Sequence, residues 1–137
     1  MRFMIIVKAN TDTEAGVMPE ESMLQVMGEF HEELVASGVL LDASGLRPSS
    51  HGFRVQYSGG KPAIIDGPFA ETKELIAGYT LIQVKSKDEA IEWAKRFPNP
   101  HGTADCHIEV RQLYELEDFG PSAAVEQMRE QVFAKIK

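Results

Sequence analysis

Apolar residues occupy both faces of the first segment. Within Arg2 to Lys8, Phe3, Ile5 and Val7 alternate with Met4 and Ile6. A strand of this kind must be covered on both sides. A polar stretch from Ala9 to Met18 follows, and Pro19 is a suitable first residue for a helix. Met23, Met27, Phe30 and Leu34 then recur at helical spacing, with Glu29, Glu32 and Glu33 elsewhere on the wheel. Gly38 supplies the stop, because glycine adopts the left-handed C-cap without cost. Val39 to Leu46 reads as a strand. Phe53, Val55 and Tyr57 alternate with Gly52, Arg54 and Gln56, as in a half-buried strand. Gly59-Gly60 gives a hairpin turn, and Ala63 to Ile65 returns as its partner.

Ala77 to Lys85 is a longer strand. Ser86-Lys87-Asp88-Glu89 has the form of a capping box, and it opens a helix predicted to bury Ala90, Ile91, Ala94 and Phe97 before Pro98 ends it. Cys106 to Leu113 is the last strand. Beyond Gly120-Pro121, Val125, Met128, Val132 and Ile136 form the stripe of a C-terminal helical extension over residues 114–137, expected to pack on the domain or on a partner. The order is β-α-β, an inserted hairpin, then β-α-β. It predicts an α+β fold of the ferredoxin-like, split β-α-β type. Helices cover one face of such a sheet, so the doubly apolar first strand calls for a second sheet packed face to face, that is, a homodimer.

Composition narrows the partners. The 137 residues fit one domain, and a net charge of −7 with no cluster of Lys and Arg argues against nucleic acid. Lone Cys106 excludes an internal disulfide and a thiolate metal site. His51, His101 and His107 show no ligand spacing with each other or with His31, so neither a metal nor another cofactor is expected. The start, MRFMIIVKAN, lacks the form of a signal peptide, and no run approaches a bilayer span. The expectation is a cytoplasmic protein without membrane contact.

One block asks for more than connection. Asp66-Gly67-Pro68-Phe69 ends a short apolar strand, and Glu71, Lys73 and Glu74 follow at once. Pro68 fixes its own φ and pushes Gly67 toward extended or turn geometry. Asp66 can accept amide protons from its own turn, which would suffice for a purely structural device. A plain hairpin connection has no need of the aromatic and charged residues that come after it. They suit a pocket wall, with Asp66 and Phe69 aimed at a cleft and Lys73 offered to an anion.

The same block carries a resemblance. Asp66 to Glu74 (DGPFAETKE), then Gly78-Tyr79, Ala90-Ile91-Glu92-Trp93-Ala94, Pro98 and Glu109-Val110-Arg111, resembles the DGPF subgroup of the YCII-related family over residues 1–113. The resemblance implies a dimeric α+β barrel. It implies no settled activity: the wider family resembles small isomerases and dehydrohalogenases, and some DGPF relatives are encoded beside or fused to alternative sigma factors. It also implies an acid-base pair of a helix histidine and a strand aspartate, here His31 and Asp42. Spacing allows it, since the two lie at similar distances either side of Gly38. An aspartate there would fix the imidazole tautomer and raise its basicity. If instead Leu41 and Ala43 take the helix side, the pair fails. Asp66 is the rival carboxylate, and Phe69, Lys73, Arg54 and Arg111 are candidate substrate contacts, although a sheet-surface ion pair is the simpler use of each arginine. The readings in play are a cofactor-independent isomerase or lyase and a non-catalytic ligand-binding or regulatory module.

Overall fold

The computed structural model describes residues 1–136. β1 (Arg2–Lys8) is central, antiparallel to β5 (Ile76–Gln83) on one side and β6 (Ile108–Gln112) on the other, and β2 (Leu40–Gly45) pairs with β5. The order β2-β5-β1-β6 is the split β-α-β arrangement. β3 (Phe53–Ser58) and β4 (Lys61–Asp66) form a separate two-stranded hairpin. Gly59 and Gly60 turn it with φ of 60° and 78°, the pair of positive values a tight hairpin needs.

α2 (Glu21–Ala36) and α3 (Lys87–Arg96) cover one sheet face. Phe3, Ile5 and Ile82 meet Phe30 and Leu34 of α2 and Ala90 of α3 in a single core, and Leu34, Ile5 and Ile82 are wholly buried. Phe30 meets Phe97 and Trp93 edge-on, with centroids at 5.3 and 6.2 Å, an arrangement that adds to the area term. Ile91, expected inside, is 39% exposed, because Trp93 occupies the inward position on α3. Ser86 caps that helix through Glu89 N at 3.1 Å, while the Glu89 carboxylate reaches one residue further back than a capping box requires, to Lys85 N.

The opposite face is less bare than the sequence pattern suggests. Within one chain Ile6 is 8% exposed, and Met4, Tyr79 and Leu81 are half-buried. The hairpin leaves more apolar surface open: Phe53 and Ile64 are each 63% exposed and Tyr57 is 79% exposed.

The polar stretch after β1 also contains an unpredicted element, α1 (Thr11–Glu14). Asn10 Oδ1 accepts from Thr13 N at 2.9 Å, and the Asn10 side-chain amide donates to His101 Nδ1 at 2.9 Å. His101 in turn donates from Nε2 to the Lys8 carbonyl, which can only accept. Four residues cannot hold a helix by themselves. This one is held by its cap.

At the C-terminal end, Glu115 takes a bidentate ion pair from Arg2, and α4 (Ala123–Gln131) begins at an N-cap serine, Ser122, with Val125 buried. Among the described residues no helix is long and apolar enough to cross a membrane.

Candidate functional site

The Asp66–Phe69 turn folds back on the connection between β2 and β3. That connection contains a single 3₁₀ turn, Ser49–His51, whose carbonyls and amides are partly unspent. Gly67 N donates to Gly52 O at 3.0 Å, and Phe69 N donates to Ser49 Oγ at 3.0 Å. Glu14, at the last position of α1, completes the junction: it accepts from Ser49 N at 2.9 Å and from the Ser49 hydroxyl. Thus one serine hydroxyl accepts from the turn and donates to the carboxylate. The approach is so close that a Cβ built on Gly67 would lie 1.9 Å from Ser49 O. The Gly67–Pro68 bond is cis, and Glu71 is the one non-glycine with positive φ among the described residues, at 64°. The left-handed backbone at Glu71 costs on the order of 1 kcal/mol or more and persists only where its surroundings impose it.

A cleft of about 410 Å³ opens beside this junction. Leu46, Pro48, Leu75 and Ile76 give it an apolar wall, and Phe69 supplies an aromatic one. Arg47, His51 and Arg54 are the basic members of the lining, and Glu14 is its one acid. The Arg54 guanidinium stands 3.8 Å over the Phe69 ring centroid, a cation–π contact that fixes the side chain without an acid. Of six arginines in the sequence, Arg2, Arg96, Arg111 and Arg129 form ion pairs with glutamates. Among the described residues, neither Arg47 nor Arg54 has a carboxylate within ion-pair distance. Both line the cleft.

The proposed acid-base pair does not assemble. His31 Nδ1 donates to the Met27 carbonyl at 2.8 Å, which leaves Nε2 of the neutral ring to accept from the Thr80 hydroxyl at 2.8 Å. Asp42 accepts instead from Tyr79 OH at 2.9 Å. Tyr79 and Thr80 are consecutive on β5, so they point to opposite faces, and His31 and Asp42 lie on opposite faces with them. A bulge is the cause. Leu40 pairs with Ile82 and Asp42 with Leu81, so two steps on β2 match one on β5. Leu40 packs on the core, and the strand has changed face by Asp42.

Of the other expected contacts, Phe69 and Arg54 line the cleft. Asp66 pairs across from Phe53 on the outer hairpin face, while Arg54, opposite Ile65, takes the inner one. Asp66 is exposed and makes no hydrogen bond to its own turn among the described residues. Lys73 is exposed on the 3₁₀ turn Thr72–Glu74, outside the cleft lining. Arg111 pairs with Glu109 at 3.2 Å on the sheet surface. Among the described residues no group of three or more His, Cys, Asp or Glu side chains is placed to hold a metal ion. Arg47 and His51 were open to a reading of the sequence, as basic residues in a non-strand connection of an acidic chain. Glu14 was not, because its partner lies 35 residues away.

Residues 1–117 match the YCII-related domain. The chain belongs to the YCII-related family. An uncharacterised protein of Rhizobium meliloti (strain 1021) is 32% identical over 94 residues, covering 69% of this chain and 75% of that protein. Among solved structures, 5-chloro-2-hydroxyhydroquinone dehydrochlorinase from Burkholderia phenoliruptrix AC1100, in complex with 2,5-dihydroxybenzoquinone, is similar at 12% identity and a TM-score of 0.48, covering 84% of this chain and 95% of that one. The YCII-related match ends within the 3₁₀ turn Leu116–Phe119, so α4 lies beyond it.

Two measurements test this geometry. Gly67→Ala is expected to cost about 1–3 kcal/mol in urea unfolding, the range for overpacking. Gly28→Ala, a helix position with open space around it, should be neutral or stabilise by about 0.5–1 kcal/mol. Equal effects would remove the close contact.

The second concerns Tyr79, whose phenol is held above its ordinary titration range, chiefly because Asp42 accepts its proton. A raised value in the folded state favours the neutral phenol, so its stabilisation is present below about pH 10 and fades as pH rises further. In tyrosinate absorbance, wild type should show a late-titrating phenol that Tyr79→Phe deletes and Asp42→Asn moves down toward about pH 10. An unchanged titration in Asp42→Asn would refute the pair.

Proposed function

We propose that this protein is a ligand-binding homodimer of the DGPF subgroup, with the dimeric α+β barrel that the subgroup implies, and that its cleft takes a small organic anion. One observation carries the reading: in a chain of net charge −7, the two arginines without a carboxylate partner among the described residues line the same cleft. A guanidinium left without an acid is a ready seat for a carboxylate, which it can bind through two parallel hydrogen bonds. Phe69 and the Asp66–Phe69 turn then have a purpose, since the ring steadies Arg54 and the turn steadies the ring. Acid-base catalysis by His31 and Asp42 is not part of this reading. His31 has both nitrogens engaged, by the Met27 carbonyl and the Thr80 hydroxyl, and among the described residues neither bond is to a carboxylate. A binding or regulatory role follows more directly from the cleft than isomerase or lyase chemistry does.

The homodimer is supported by the hairpin. A two-stranded hairpin is marginal in water, and β3–β4 carries Phe53, Val55, Tyr57 and Ile64 on one face, all of them exposed. Sedimentation at micromolar concentration should find a dimer, with Tyr57→Glu and Ile64→Glu shifting it toward monomer. A stable wild-type monomer would remove the assembly.

Calorimetric titration with sodium benzoate tests the cleft. Arg47→Ala and Arg54→Ala should each weaken binding about 10- to 100-fold, the worth of a hydrogen bond to a charged group. Arg111→Ala, at a paired arginine, should bind as wild type does. Identical affinity across all three variants would refute the site.

A further inference from the structure

We infer that the cleft selects a monoanionic acid with an apolar body, an aryl or cyclic-alkyl carboxylate, over phosphate and over small polar acids; the inference rests on the anion-binding reading above and names the ligand class for that site. Three features lead to it.

The first is charge. Two guanidiniums stand against one carboxylate, Glu14, whose oxygens are both taken by Ser49. With His51 of the lining counted neutral, as in the chain's net charge of −7, one net positive charge remains, which suits a single negative charge. A phosphate dianion would leave charge uncompensated beside Glu14, whose carboxylate would repel it.

The second is the wall. Leu46 is 50% exposed and Ile76 41% exposed, and the Leu46 N–H donates to Ala77 O at 2.8 Å, which sets them side by side at the cleft. Apolar side chains left open in a concave site are the usual seat of a ligand's apolar part. An inorganic anion would cover none of that surface. An organic body would remove it from water, and the gain scales with the area covered.

The third is the posture of Arg54. With Cζ over the Phe69 ring, its π-face is spent and its N–H edge remains for bonds in the guanidinium plane. That edge matches the flat fork of a carboxylate. About 410 Å³ corresponds to roughly fourteen waters at about 30 Å³ each, ample for one ring and its carboxylate.

The test is a ligand series on the full chain by calorimetry: sodium benzoate, cyclohexanecarboxylate, acetate and inorganic phosphate. Benzoate and cyclohexanecarboxylate should bind at least 30-fold more tightly than acetate, with phosphate no tighter than acetate. Ile76→Ser and Leu46→Ser should each weaken the two ring acids about 3- to 10-fold and leave acetate unchanged. The wild-type series decides the matter even if a wall variant fails to fold. If acetate or phosphate matches benzoate and all are lost in Arg54→Ala, the anion site stands and the apolar selection falls. If no anion binds, or if Arg47→Ala and Arg54→Ala bind every anion as wild type does, the underlying reading falls with it.

Discussion

Ser49 and Gly67 are in backbone contact so close that no side chain could be inserted between them. Through that contact the hairpin, the β2–β3 connection and α1 are fixed to one another. The Ser49 hydroxyl accepts from the turn and donates to Glu14, so each half of the junction satisfies the other. Polar groups partly withdrawn from water need partners, and here the partners come from three separate stretches of chain. The network extends further: α1 presents Glu14 only because Asn10 caps it, and Asn10 is held by His101 from beyond α3. What looks like a local turn is therefore supported from the far end of the domain.

The bulge in β2 has an effect of similar reach. Side chains alternate with a strict period of two, so one extra residue sends everything after it to the other face. Leu40 joins the core and Asp42 emerges opposite to His31. Each then finds a partner suited to its own side, His31 a buried threonine and Asp42 a tyrosine phenol. The sheet separates two polar groups that a regular strand could have joined.

Charge pairing explains why the cleft stands out in an acidic chain. Surface arginines find glutamates readily when acids outnumber bases, and such exposed pairs add little stability. Arg47 and Arg54 escape this by position. Arg47 lies on a connection whose nearby acid is engaged by Ser49, and Arg54 leans on an aromatic ring. Their freedom follows from geometry rather than composition.

Much of the architecture was legible in the residues. The stripe of α2, the serine cap of α3, the glycine pair of the hairpin and the element order each rest on interactions between near neighbours, which sequence records directly. Phe69 was legible as a candidate, being an aromatic ring at an unusual turn, and Arg54 only as a strand cation that could meet an anion. The failures share another cause. The bulge at Leu40–Asp42 depends on how β2 meets β5, the inward choice of Trp93 over Ile91 on what α2 presents, and Glu14 on a serine 35 residues ahead. Local propensity could place a histidine and an aspartate at matching heights. Only the tertiary structure could decide which face each would occupy, because a strand's facing is set by its partner strand and not by its own sequence.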